Sequence, residues 1–145
     1  MKLDDLHATW AADAELDFSR PDAEVRNVPR LHAKYWQLYT QERQRYLTIK
    51  HDHDKLRLAK IDYFTGRMSD EELKEREWPP QPLRIVRGEV EQYLAADADL
   101  SVLAGKLDLQ KTKLSFLEDV IKSIGQRNFL IKNYIDFLRW SQGAE

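Results

Sequence analysis

The chain has 145 residues, 42% of them hydrophobic and 33% charged, with a formal charge of −2. That length allows one ordinary domain with a lean core and much helical surface, so self-association is one way to bury more of it. Cysteine is absent, which excludes disulfides and thiolate chemistry and fits a reducing cytosol; no signal-peptide run opens the chain and no stretch approaches the ~20 apolar residues that span a bilayer, so neither export nor a membrane partner is expected.

The first segment reads as a short amphipathic helix, with Leu3, Leu6 and Trp10 at i, i+3 and i+7, fading around Asp13 to Asp17. One long helical pattern follows from about Pro21 to Thr65. Pro21 stands where a first turn tolerates it, and Gly66 stands where a helix stops. If continuous, this helix is about 65 Å long. Pro29 lies inside it and removes a backbone donor, which predicts a kink there in preference to a helix start near Val28. Leu31, Leu38, Ile49, Leu56 and Tyr63 form its apolar seam.

The same helix carries the most informative row of the sequence. Arg43, Tyr46, Lys50, Arg57, Lys60, Phe64 and Arg67 follow one another at spacings of 3, 4, 7, 3, 4 and 3, which places them on one side of an α-helix. The global charge conceals this zoning: residues 1–25 carry −5, residues 26–67 carry +6, residues 68–100 carry −5 and residues 101–145 carry +2. Cations in such a row replace phosphate counterions, and rings between them stack on unpaired bases, so single-stranded nucleic acid without a fixed sequence is the expected ligand. Tyr46 and Phe64 sit where this row meets the apolar seam, and there a ring either pads the core or stacks on a base. A basic run on a helix is also often only a solvated face.

After Gly66 and Arg67, Ser69-Asp70-Glu71-Glu72 has the form of a capping box that starts a short acidic helix. Trp78-Pro79-Pro80-Gln81-Pro82 then excludes helix and makes a semi-rigid extended linker. Leu83 to Ala96 reads as a short strand or a poor helix. From Asp97, a candidate N-cap, the apolar pattern is regular: Leu100, Leu103, Leu107, Leu114, Leu117, Ile121 and Ile124 alternate by 3 and 4, with Gln110 at the one missing step. This is a coiled-coil seam, and the Gln in it favours pairing between defined helices. Leu109, Phe116 and Val120 widen the apolar band enough for a second contact. Gly125 breaks the helix, and Arg127 to Trp140 is too apolar all round for the surface of a monomer. It reads as an oligomerisation helix, with Leu107, Leu114, Leu117, Ile121, Ile131, Ile135 and Leu138 as the oligomerisation residues. Three regions result: an amino-terminal helical DNA-binding region over 1–78, a proline-rich linker and irregular segment over 79–96, and a carboxyl-terminal oligomerisation region over 97–145.

Catalytic constellations are poor. His51-Asp52-His53-Asp54 is the one metal-like string, but ligands two apart on a helix point to nearly opposite sides. No glycine-rich phosphate loop and no nucleophile elbow is present. Asp62 beside Lys60 is a single carboxylate, too few to hold the metal ions of phosphodiester cleavage. Neither enzymatic activity nor a cofactor is expected.

Leu58-Ala59-Lys60-Ile61-Asp62-Tyr63-Phe64-Thr65-Gly66-Arg67 resembles the basic, Ala, basic, Leu, Asp, Tyr, Tyr, Ser, Gly, Arg signature of the UvsY family, the recombination mediators of T4-like bacteriophages. Met1-Lys2-Leu3-Asp4-Asp5-Leu6 is similar to that family's amino terminus. Ile121-Lys122-Ser123, followed by Arg127, Phe129, Ile131 and Lys132, is similar to its carboxyl-terminal block. The three blocks are collinear, and the proline-rich middle is the least alike.

The resemblance implies a non-enzymatic assembly factor in the cytoplasm of the infected host cell. Such a factor binds single-stranded DNA and helps a RecA-like recombinase, UvsX, take the place of the single-strand-binding protein in phage recombination, replication and repair. It also implies a ring-like homo-oligomer of about six or seven subunits, which multiplies a weak DNA contact through effective concentration. The implied phosphate contacts are Lys60, Arg67 and Arg57, extended by Lys50 and Arg43, with Lys122, Arg127 and Lys132 as weaker candidates and Tyr63 packing in preference to stacking. Leu58 stands where the signature has its first basic residue, and Arg57, one place away, is the candidate to carry that contact. The expected fold is predominantly all-α: a long kinked helix and a carboxyl-terminal helical hairpin assembled as a ring, with a possible short extended segment between them. The competing readings are a helical scaffold or adaptor that acts through protein partners only, and a small nuclease.

Overall fold

The computed structural model describes residues 1–81 and 83–143; Pro82, the last residue of the expected linker, lies outside them. The elements in chain order are α1 (Leu3–Ala14), α2 (Pro21–Phe64), α3 (Asp70–Arg76), a 3-10 turn (Arg87–Glu89), α4 (Val90–Ala96), α5 (Ala98–Gly125) and α6 (Arg127–Ser141). Among the described residues there is no strand, and the fold is all-α as the patterning predicts. No helix among them is long and apolar enough to cross a membrane.

Local chemistry accounts for the boundaries. α2 begins at Pro21 with Asp22 and Glu24 in its first turn, where acidic groups meet the positive end of the helix dipole, and it continues through Pro29. It stops in a Schellman turn: Gly66 N–H donates to the Tyr63 carbonyl at 3.3 Å and Arg67 N–H to the Asp62 carbonyl at 2.8 Å. Gly66 holds φ at 74°, a conformation that strains any residue with a Cβ. Ser69 caps α3 by accepting the Glu72 N–H at 3.2 Å. Asp97 caps α5 likewise, its carboxylate accepting the Leu100 N–H at 3.0 Å. The segment left open between strand and helix resolves to extended backbone at Val86, the 3-10 turn and then α4.

The chain forms two compact units. One comprises residues 1–44 and 111–145, the other residues 45–110. α2 and α5 each contribute one end to each unit.

In the first unit Leu6, Leu31, Tyr35, Leu117, Val120 and Ile124 form the core, with Trp10, Val28, Leu38, Tyr39, Phe116 and Ile121 packed against it. A side chain of this size, fully buried, contributes about 1.5–3 kcal/mol. The regular seam of α5 thus serves this chain's own core. Leu114, Leu117 and Ile131 are 8%, 0% and 2% exposed, so three of the expected oligomerisation residues are already covered within the unit. Leu107, Ile121, Ile135 and Leu138 are half-buried.

α6 is apolar on two sides. Arg127, Ile131, Tyr134, Ile135 and Leu138 recur by 3 and 4 on its covered side, whereas Phe129, Leu130, Phe137 and Trp140 lie on the opposite side and are exposed.

The second unit packs Ile85, Val90, Leu94 and Leu100 together, with Leu56, Ile61 and Phe64 against them. Leu100, the first residue of the α5 seam, belongs to this core.

Candidate nucleic-acid interface

The cations of α2 do not all face solvent: Arg43 and Lys50 are exposed, whereas Lys60 is buried. Arg43 is exposed and makes no ion pair among the described residues. Tyr46 is half-buried. Lys50 is exposed and lies 3.7 Å from Asp54, one turn on. The hydrogen bond with the His53 imidazole, helped to a lesser degree by the charge of Lys50, holds the Asp54 carboxyl below its usual range against the opposing effect of desolvation.

Further along, the side chains are engaged. Arg57 is half-buried, and its guanidinium donates to the Glu91 carboxylate on α4. Leu58, in the place of the basic residue of the signature, is 62% exposed. Lys60, expected to be a principal phosphate contact, is 6% exposed. Its Nζ lies 3.0 Å from Asp97, 3.2 Å from Asp99 and 4.1 Å from the centre of the Trp78 ring. Desolvation, two carboxylates and an aromatic face thus replace the solvent and phosphate expected there. Phe64 packs between Tyr63 at 5.3 Å and Tyr93 at 5.8 Å, which makes it core padding. Tyr63 packs as well, its hydroxyl donating to the Pro79 carbonyl at 2.6 Å.

Arg67 is exposed at the end of the row, with no ion pair among the described residues. Arg84 stands next to that turn: its Nε–H donates to the Thr65 carbonyl at 3.0 Å, and a Cβ placed on Gly66 would lie 3.5 Å from its Cγ and Nε. Arg84 is exposed and was not singled out from the sequence. The stop at Gly66 is legible in the sequence, but the return of the chain after the prolines to the end of α2, where Ile85 N–H donates to the Phe64 carbonyl at 3.0 Å, is not.

The weaker candidates separate in the same way. Lys122 and Lys132 are exposed. Arg127 is 3% exposed; it donates to the Asp13 backbone carbonyl, lies 3.5 Å from Glu24 and sits 5.6 Å from the centre of the Trp10 ring. That guanidinium closes α1 and α2 onto the start of α6 and is not available to a strand. His51 and His53 lie on α2, and among the described residues no group of three or more His, Cys, Asp or Glu side chains could hold a metal ion.

Fold and surface define a class: an all-helical protein whose longest helix carries exposed cations and rings beside its packed side. The model of a family described as "Recombination, repair and ssDNA binding protein UvsY" matches residues 9–144, and the chain belongs to that family. It is 24% identical over 143 residues to "Recombination protein uvsY" of Enterobacteria phage T4, covering 99% of each chain. Crystal structures of the bacteriophage T4 recombination mediator protein UvsY have the same fold at 23% identity. The lattice type II form gives a TM-score of 0.85 over 98% of each chain. The lattice type IV form gives 0.84 over 97% of this chain and 99% of that one.

Proposed function

We propose that this chain is a recombination mediator: it holds single-stranded DNA by its phosphates and promotes loading of a RecA-like recombinase of the UvsX type in place of the single-strand-binding protein, in the cytoplasm of the infected host. The observation that carries this reading is the family match across residues 9–144. The exposed cations Arg43, Lys50 and Arg67 support it from the surface, and Arg84 adds a charge beside Arg67. A mediator must grip a strand firmly enough to weaken the resident protein and still release it. Several salt-sensitive phosphate contacts meet that requirement better than one tight site. Tyr46 is half-buried at the edge of the row, and Lys122 and Lys132 are separate exposed candidates; Arg57 becomes available only by leaving Glu91, and Lys60 only by leaving Asp97.

Self-association completes the reading. The exposed side of α6, with Phe129, Leu130, Phe137 and Trp140, joins copies into a ring of about six or seven subunits. Repetition of one weak DNA surface around such a ring raises avidity with no new contact.

Titrating a labelled oligonucleotide against the parent and an Arg43→Ala, Arg67→Ala variant at several salt concentrations tests the interface. The slope of log K against log salt falls by about 0.7 for each phosphate contact removed. An unchanged slope removes this face from the interface. Recombinase filament assembly on oligonucleotide precoated with single-strand-binding protein, with and without the chain, tests the mediator step. No acceleration by the parent refutes it.

A further inference from the structure

On the part of α2 that belongs to the first unit, three rings stand one above another. His32 and Trp36 have ring centres 6.4 Å apart with planes 6° from parallel, and Trp36 and Tyr39 have centres 5.4 Å apart with planes at 21°. Trp36 is 52% exposed, which is unusual for the largest apolar side chain, and His32 is exposed too. Tyr39 is held in place from below, packed on the core with its hydroxyl donating to Glu118 at 3.2 Å. From His32 to Arg43 the spacings are 4, 3 and 4, which is 11 residues for three turns where an α-helix takes about 10.8. This row holds its line, so Arg43, exposed and free of ion pairs among the described residues, continues the ladder.

We infer that His32, Trp36 and Tyr39 form a base-stacking platform for single-stranded DNA, with Arg43 holding the adjoining phosphate. The inference rests on the single-strand reading above and adds to it the group that takes the bases. However the 6.4 Å between His32 and Trp36 divides between rise and offset, the imidazole leaves much of the indole face uncovered. An unpaired base has a flat apolar face of matching size, and stacking on it is indifferent to sequence. Trp36 already lies near-parallel to its neighbours on a rigid helix, so a base joins a stack whose ordering cost has been met. A cation one turn beyond the last ring suits a nucleotide, which carries its charge beside its base. A partner protein would leave Arg43 to find a carboxylate. On α6 of the same unit, by contrast, the exposed Phe137 and Trp140 rings are tilted 35° to one another with centres 6.2 Å apart.

The test compares the binding of oligo-dT with that of an abasic phosphodiester of the same length and charge. The parent prefers oligo-dT. Trp36→Ala weakens oligo-dT binding about tenfold, leaves abasic binding alone and leaves the salt slope unchanged, while Trp36→Phe keeps most of the preference. Because Trp36 is half in solvent, helicity by circular dichroism and sedimentation mass stay at parental values. The platform is refuted if Trp36→Ala binds oligo-dT as the parent does; if the salt slope still responds to Arg43→Ala and Arg67→Ala, the phosphate interface survives that result. A parent that binds neither oligomer overturns both readings. A fall in mass for Trp36→Ala assigns the ladder to self-association and overturns the platform.

Discussion

The ammonium of Lys60 lies 3.0 Å from the carboxylate of Asp97, and the same carboxylate accepts the Leu100 N–H that starts α5. One buried pair thus ties the end of α2 to the beginning of α5 inside the second unit. Both side chains are about nine-tenths covered, so removing Lys60 strands the Asp97 carboxylate where water cannot reach it, whereas removing the Asp97 charge leaves Lys60 with Asp99 at 3.2 Å.

Lys60→Ala therefore lowers the unfolding free energy by about 3 kcal/mol, read from urea denaturation, while the salt slope of DNA binding by the folded protein stays parental. Asp97→Asn, which keeps a capping side chain, loses the pair and keeps the helix start. Should Lys60→Ala leave stability intact and flatten the salt slope by about 0.7, Lys60 leaves its carboxylates to meet a phosphate, as the family signature implies.

Arg57 and Glu91 offer a contrasting pair, because both are substantially open to solvent. Exposed ion pairs contribute about 0–1 kcal/mol, so Glu91→Gln is expected to cost little stability. It frees a guanidinium beside the basic row. Single-strand affinity rises modestly at low salt, and the salt slope steepens by up to about 0.7; an identical slope in parent and variant excludes Arg57 from the interface.

Asp13 and Tyr35 make part of the first unit's stability depend on pH. Burial pushes the Asp13 carboxyl up, but hydrogen bonds from Lys34 and Tyr35 and the charges of Lys34 and Arg127 outweigh it, and the net shift is below the usual 3.8. A depressed folded value gives stability that is present above the unfolded value and lost as pH falls through the folded one. Burial first, and then the hydrogen bond to Asp13, push the Tyr35 hydroxyl well above its usual 10.0, so its contribution is full below that value and lost at higher pH. Asp13→Asn should make the acid limb of a stability profile shallower below about pH 4. An acid limb unaltered by the substitution rules out Asp13 as its source.

Arg127 opens α6 as a buried cation. It is a cation at the start of an apolar helix, which from sequence suits either a phosphate or a carbonyl. Only packing reveals that Asp13, Glu24 and Trp10 converge on it. Arg127→Lys should lower stability measurably, because an ammonium cannot span the carbonyl, the carboxylate and the indole face that the planar guanidinium engages. The salt slope of DNA binding stays at the parental value; a flatter slope would return Arg127 to the interface.

Helix limits were legible wherever one residue type has one use: Pro21 at a first turn, Gly66 at a left-handed stop, Ser69 and Asp97 as caps. Spacing also located the seams, but it does not say against what they pack. Leu114 and Leu117 repeat like a coiled coil whether the facing helix belongs to the same chain or to another. The basic row has the same limit, since spacing does not say which cations stay in solvent, as Arg43 does, and which meet carboxylates, as Lys60 does. Arg84 was invisible because its place depends on a return of the chain across a proline-rich segment, which no local pattern encodes. Trp36 does not stand out in the sequence because exposure, and not residue type, is what distinguishes it from a core tryptophan.

That difference between a seam and a partner surface makes the proposed ring separable from the fold. Leu117 is 0% exposed in the core of the first unit, so Leu117→Asp buries an unpaired carboxylate and abolishes the folded state, with loss of helical circular dichroism. Phe137 and Trp140 are 57% and 77% exposed, with ring centres 6.2 Å apart on the outer side of α6, and charging them disturbs no core contact. Phe137→Glu with Trp140→Glu should therefore yield smaller species in sedimentation at parental helicity, and affinity for long strands should fall more than affinity for very short ones, since avidity is lost while each subunit's surface is intact. If the doubly charged variant sediments with the parental mass, the outer side of α6 is not where copies meet.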